Sequence, residues 1–177
     1  MIRTADVRRL LLFVLAAGVI MFVLAVGPLA QVLDSCLPLL VARLSRGFLA
    51  LLGQRTIAGG TSIYGSKFAI HITQAETLWF LLPVVLSFAM FWPARGRSRA
   101  LIGLVGVSAL LFLAVLRIVS IFVAGLLAAV LGGILHDYAW PTLLTAMFCY
   151  AWFTWWQSTS ATDAALDHGR EQSASAT

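Results

Sequence analysis

Residues 69–86 read AIHITQAETLWFLLPVVL. In the first half Phe68, Ile70 and Ile72 alternate with Ala69 and His71, a period of two that predicts a short strand. From Leu78 onward the stretch is continuously apolar and reads as a helix. Glu76 stands at the junction. Open strands are not tolerated in hydrocarbon, so the strand belongs in water or among headgroups. The helix then enters the bilayer from that side, with Glu76 at its mouth.

The rest of the chain supports a membrane setting. It has 177 residues, 61% of them hydrophobic, against about 45–50% in soluble domains. This composition predicts an all-α integral membrane protein with one membrane domain, residues 1–156, and a polar, disordered cytoplasmic tail, 157–177. The net charge of +5 does not point to nucleic acid, because the basic residues are few and several flank apolar stretches. Cys36 and Cys149 form no CxxC, so no metal or redox motif is expected, and no cofactor. The apolar run after MIRTADVRR is too long for a signal-peptide core and predicts a retained span.

Hydropathy predicts about four transmembrane helices, an interfacial amphipathic helix and a short extracytoplasmic β-hairpin. The first span runs from Val7 to Leu33, with a kink expected at Pro28. Arg3, Arg8 and Arg9 precede it and place the N-terminus in the cytoplasm. Pro38 to Gly53 carries Arg43 and Arg46 on one face and suits the outer interface. Gly59-Gly60 and Gly65-Ser66 are turn signals around one or two strands. The second span runs from Ala75 to Trp92, and Arg95, Arg97 and Arg99 mark the cytoplasmic loop after it. The third block, Leu101 to Leu135, has a bend expected at Gly132-Gly133. The fourth span runs from His136 to Trp156, so both termini are expected in the cytoplasm.

This topology brings three ionisable groups to one depth. Arg117 lies roughly 24 Å along the helix from Leu101, in the outer part of a core about 30 Å thick. Glu76 and His136 open the second and fourth spans from the same side. Ionisable groups at such depth usually pair or line a cavity. Each also has a plainer reading. Arg117 can snorkel to headgroups. His136 and Asp137 can sit in the interface. Glu76 can serve the positive end of its helix, a contribution of about 0.3–1 kcal/mol.

The order of these features resembles the exosortase/archaeosortase family. The matching segments are LSRGFLALLGQRTIAGGTSIYGSKFAIHI, FWPARGRSRALIGLVG, LRIVSIF and HDYAW, spread over roughly residues 40 to 155. The resemblance implies a membrane cysteine peptidase or transpeptidase of the bacterial inner membrane that processes C-terminal sorting signals. It implies a site made of a Cys, then an Arg matched by Arg117, then a His matched by His136. The Cys belongs to a motif of the form I-x-x-x-C-x-G. Counted from Ile72, that position holds Glu76, and Leu78 stands where the glycine is expected. Ala114 replaces an Asn common three residues before the Arg.

A carboxylate is a poor substitute for a thiolate, because attack on an amide would give an unstable anhydride. It can act as a base toward water. A Glu76–Arg117 ion pair is the simplest arrangement these residues predict. Cys149 lies roughly 20 Å deeper than His136 along a helix, and Cys36 matches no known nucleophile setting.

Three functions stay open. The leading one is a degenerate exosortase-like protein that binds a sorting-signal helix, or assists an active paralogue. The second is a membrane peptidase using Glu76 and His136. The third is an unrelated structural or transport protein of the bilayer.

Overall fold

The computed structural model describes residues 4–26, 28–92 and 96–175. Arg3, Pro93 and Arg95 lie outside the described residues. Helices dominate: α1 (Thr4–Ala25), α2 (Pro28–Leu51), α3 (Leu82–Phe91), α4 (Gly96–Leu127), α5 (Ala129–Ile134) and α6 (Trp140–Ser175). Between α2 and α3 lie three short strands, β1 (Ile57–Gly59), β2 (Ser62–Tyr64) and β3 (Ala69–His71). Two 3-10 turns, Gln74–Thr77 and Trp79–Leu81, lead into α3, and a π turn, Leu135–Ala139, joins α5 to α6.

The expected first span is broken in two. α1 ends at Ala25, α2 begins at Pro28, and residues Leu10–Ala25 and Ala30–Leu51 are bent by 85°. A proline lacks the N–H that would continue α1 and is well tolerated in the first turn of a new helix. The amphipathic segment from Pro38 is therefore the second half of one longer helix.

The four separate spans predicted from hydropathy are not supported. Among the described residues, α4 is the one helix that is by itself long and apolar enough to cross a bilayer. α1 and α2 meet that condition only as the bent pair. The apolar helix Trp79–Phe91 is about 20 Å long at ~1.5 Å per residue, short of a hydrocarbon core. α6 is diluted by Thr142, Thr145 and Thr154 and by its aromatic residues. It also continues as helix to Ser175, over the tail expected to be disordered. Alanines at 161, 164, 165 and 174 carry the highest helix propensity.

The expected hairpin is a three-stranded antiparallel sheet in the order β1-β2-β3. Gly60 supplies the positive φ of +62° at the first turn, a conformation glycine adopts at little cost. Ile63 and Ile70 pair across β2 and β3, and both are buried. They join Val41 and Leu49 of α2, Ile118 and Phe122 of α4, and Trp140 of α6 in one core.

The bend after α4 falls on Ala128, which is extended (φ −157°, ψ 130°), and not on Gly132-Gly133. Both glycines lie inside α5. Gly132 serves close approach instead: a Cβ there would sit 3.1 Å from the Gly125 Cα. Gly106 does the same between α4 and α3, where an added Cβ would meet Val85 at 2.5 Å, whereas at Gly103 it would make ordinary contact with Ala89 at 3.5 Å.

At the far end from the sheet, Phe13 of α1, Phe88 of α3, and Trp152 and Trp155 of α6 form an aromatic cluster. Phe13 lies edge-on to Phe88 at 5.0 Å and to Trp152 at 5.3 Å. Much of the remaining apolar surface stays open, with Phe22 at 67%, Leu104 at 65% and Phe153 at 57% exposure.

Candidate functional site

Glu76 is positioned by the turn that follows the sheet. Ile72 donates its N–H to the Thr61 carbonyl at 3.0 Å, extending the sheet pairing by one bond. The next residue, Thr73, donates its N–H to Glu76 Oε2 at 3.0 Å. The Glu76 N–H donates back to the Thr73 carbonyl at 3.2 Å. A side chain reaching back to the N-cap N–H is the mark of a capping box, and it holds the carboxylate at the start of a helical segment. Asp34 of α2 accepts a hydrogen bond from the Gln74 side chain and ties the turn down. Glu76 is buried.

Leu78 then takes a left-handed conformation, φ 58° and ψ 19°, the one positive φ outside glycine among the described residues. For an L residue this costs roughly 1–2 kcal/mol. Its side chain is fully buried in the core. This is the position where the resemblance implies glycine, the residue that meets such a backbone without strain.

His136 approaches from the π turn. Its Nε2 lies 3.2 Å from Glu76 Oε1, and its Nδ1 lies 2.7 Å from Asp137 Oδ1. Successive residues on a regular α-helix do not face each other. Within the wider π turn the ring reaches its neighbour. The imidazole therefore bridges two carboxylates, and both contacts are hydrogen bonds at once when both ring nitrogens carry protons, or when one nitrogen and the carboxyl facing the other do. Glu76, His136 and Asp137 line a cavity of about 340 Å³ that His71 and Phe68 also border. His71 is held by a 2.9 Å contact between its Nδ1 and Ser62 Oγ across β2 and β3.

The ion pair expected between Arg117 and Glu76 is not formed; the Glu76 carboxylate instead meets Thr73 and His136. The two charges still attract each other through space. The Arg117 side chain is 9% exposed, and its Nε is buried without a hydrogen-bond partner. It lines a second cavity, about 590 Å³, between the α3 region and α6. Ala75 borders that second cavity and Glu76 the first, so neighbouring residues of one turn face different spaces. Glu76 and His136 are thus in contact, and Arg117 stands next door.

Ser120 connects the two sequence segments that carry Arg117 and His136. Its hydroxyl donates to the Arg117 carbonyl at 2.8 Å and accepts from Trp140 Nε1 at 2.8 Å. Sequence reasoning misses Ser120, Trp140 and His71 as site residues. The first two lie within LRIVSIF and HDYAW, and period-two alternation puts His71 on the strand face opposite Ile70 and Ile72. Ala114, where the resemblance implies Asn, is fully buried in the core.

The chemistry open to this arrangement is that of a carboxylate–imidazole–carboxylate chain. Such a chain can orient a base, move a proton or bind a polar group. Neither cysteine takes part: Cys36 and Cys149 are both exposed, and neither lines the cavity. Among the described residues, no group of three or more His, Cys, Asp or Glu side chains is arranged to hold a metal ion.

No family model, curated protein or solved structure matches the chain.

Proposed function

We propose that the chain is a bilayer-embedded, exosortase-like protein that binds C-terminal sorting tails without cleaving them. One observation carries the reading. Glu76 and His136 are 60 positions apart and share a hydrogen bond, at the two positions where the resemblance implies a nucleophile and a site histidine. The left-handed Leu78, at the place of an implied glycine, adds to it.

Bilayer placement is supported by the length and composition of α4 and by the wide exposed apolar surface of α1, α4 and α6. Monomeric soluble proteins rarely leave such patches open. In this reading the sheet and the cavity beside Glu76 face the extracytoplasmic side, α2 lies along that surface, and both ends of the chain are cytoplasmic. The tail is a short motif, a transmembrane helix and a basic end. Its motif would meet the polar groups of the cavity. The absence of a thiol there is what separates binding from peptidase chemistry. An active paralogue would then perform any cleavage, with this chain as an accessory.

The test is capture of a reporter bearing such a tail by the purified full chain. The expected result is retention of intact reporter, reduced tenfold or more in His136→Ala. Failure to retain the reporter would remove the binding role. Cleavage abolished by Glu76→Gln would favour the second reading, a hydrolase with a carboxylate base. Asp137 holding His136 from its other side is the feature that favours it.

A further inference from the structure

We propose that the cavity between α3 and α6, about 590 Å³ in volume, holds one anionic glycerophospholipid, with its phosphate against Arg117 and an acyl chain along α6. The inference rests on the bilayer placement above but not on tail recognition.

Arg117 is the starting point. A guanidinium remains a cation in proteins and presents five donors. Here it is more than nine-tenths buried, and its Nε has no partner. A buried charge without a hydrogen-bonded partner is costly. The nearby carboxylate of Glu76 does not supply the contact: its hydrogen bonds run to Thr73 and His136. Arg117 is one of the residues that line the cavity. An anion entering there would meet its guanidinium, which suits phosphate through paired hydrogen bonds.

The remaining walls define the rest of the ligand. Phe80 and Val84 stand on one side, and Leu144 and Phe148 on the other. They are apolar and accept a hydrocarbon chain. From Pro141 to Phe148 the α6 wall extends about 10 Å. Arg117 lies near the outer edge of the hydrocarbon core, and the apolar walls continue inward from it. Charge at the boundary with chain below is the orientation of a lipid in that leaflet. A transmembrane peptide fits less well, because a carboxylate at this depth is itself expensive and rare. The phosphate of a lipid stands at the boundary in any case.

The experiment is native mass spectrometry of the delipidated full chain in detergent, titrated with phosphatidylglycerol and separately with diacylglycerol, which carries the same acyl chains and no phosphate. Wild type is expected to hold one phosphatidylglycerol at least tenfold more tightly than diacylglycerol, the weight of one charge-assisted hydrogen bond. Arg117→Gln should lose that preference. Leu144→Trp, which fills the cavity and leaves Arg117 in place, should lose the bound lipid altogether, and it decides the matter if Arg117→Gln does not fold. Equal affinity for the two lipids in wild type would overturn the proposal. So would an unchanged preference in both variants. Displacement of phosphatidylglycerol by the sorting tail would assign the cavity to the tail and overturn it as well. Because lipid retention is read with no tail present, its failure is distinguishable from failure of tail capture.

Discussion

The two ends of the molecule are held together in different ways. At one end Phe13 of α1 contacts Phe88, Phe91, Trp152 and Trp155 through ring edges and faces. These contacts are apolar and largely insensitive to exact direction. At the other end Thr73, Glu76, His136 and Asp137 are linked by hydrogen bonds of 2.7–3.2 Å. A left-handed leucine and a π turn lie at the same place. That end also leaves the Arg117 Nε unpartnered. Packing that tolerates change belongs to the framework. Strained backbone and unfinished hydrogen bonding gather where a ligand is expected.

The largest expected effect tests the framework end. Phe13→Ala removes a ring that is 4% exposed and should cost about 3–5 kcal/mol of stability. It should leave tail capture unchanged in whatever fraction stays folded. Thermal unfolding followed by capture measures both. If the variant lost capture while keeping its stability, the two ends could not be separated in this way.

A smaller effect is expected at Leu78, where the two kinds of interaction meet. Leu78→Gly relieves the left-handed backbone but empties a fully buried site. Loss of the side chain, about 2–5 kcal/mol, outweighs relief of roughly 1–2 kcal/mol. The net expectation is a loss of about 2 kcal/mol, within a span of roughly 0–4 kcal/mol, in denaturant unfolding. A stabilised variant would show that backbone strain outweighs packing there.

Particular residues show what is legible in the sequence. Alternation at Ile70 and Ile72 marks β3, and Gly59-Gly60 and Gly65-Ser66 mark both turns of the sheet. The topology expected from the sequence draws Glu76, Arg117 and His136 to one level, but a shared level does not fix direction around a helix axis, so the sequence pairs Glu76 with Arg117, whereas its partner is His136. The π turn that aims His136 has no composition signal. Gly132-Gly133 looks like a turn because glycine serves turns and close helix contacts alike. The contact is what it makes here, and Ala128 bends instead. Pro28 signals the break between α1 and α2, but a gentle kink and the 85° bend found here share that signal. Hydropathy counts apolar residues without knowing where helices end, which is why it predicts four spans where one helix is long enough by itself.

The most direct measurement is a double-mutant cycle of Glu76→Gln and His136→Ala, read by unfolding of the purified full chain. A hydrogen-bonded pair with a half-exposed imidazole should couple by about 1 kcal/mol. The two substitutions together would then cost less than their separate effects summed. Strict additivity within experimental error would mean that Glu76 and His136 do not act as a pair, and the site assigned to them would be wrong.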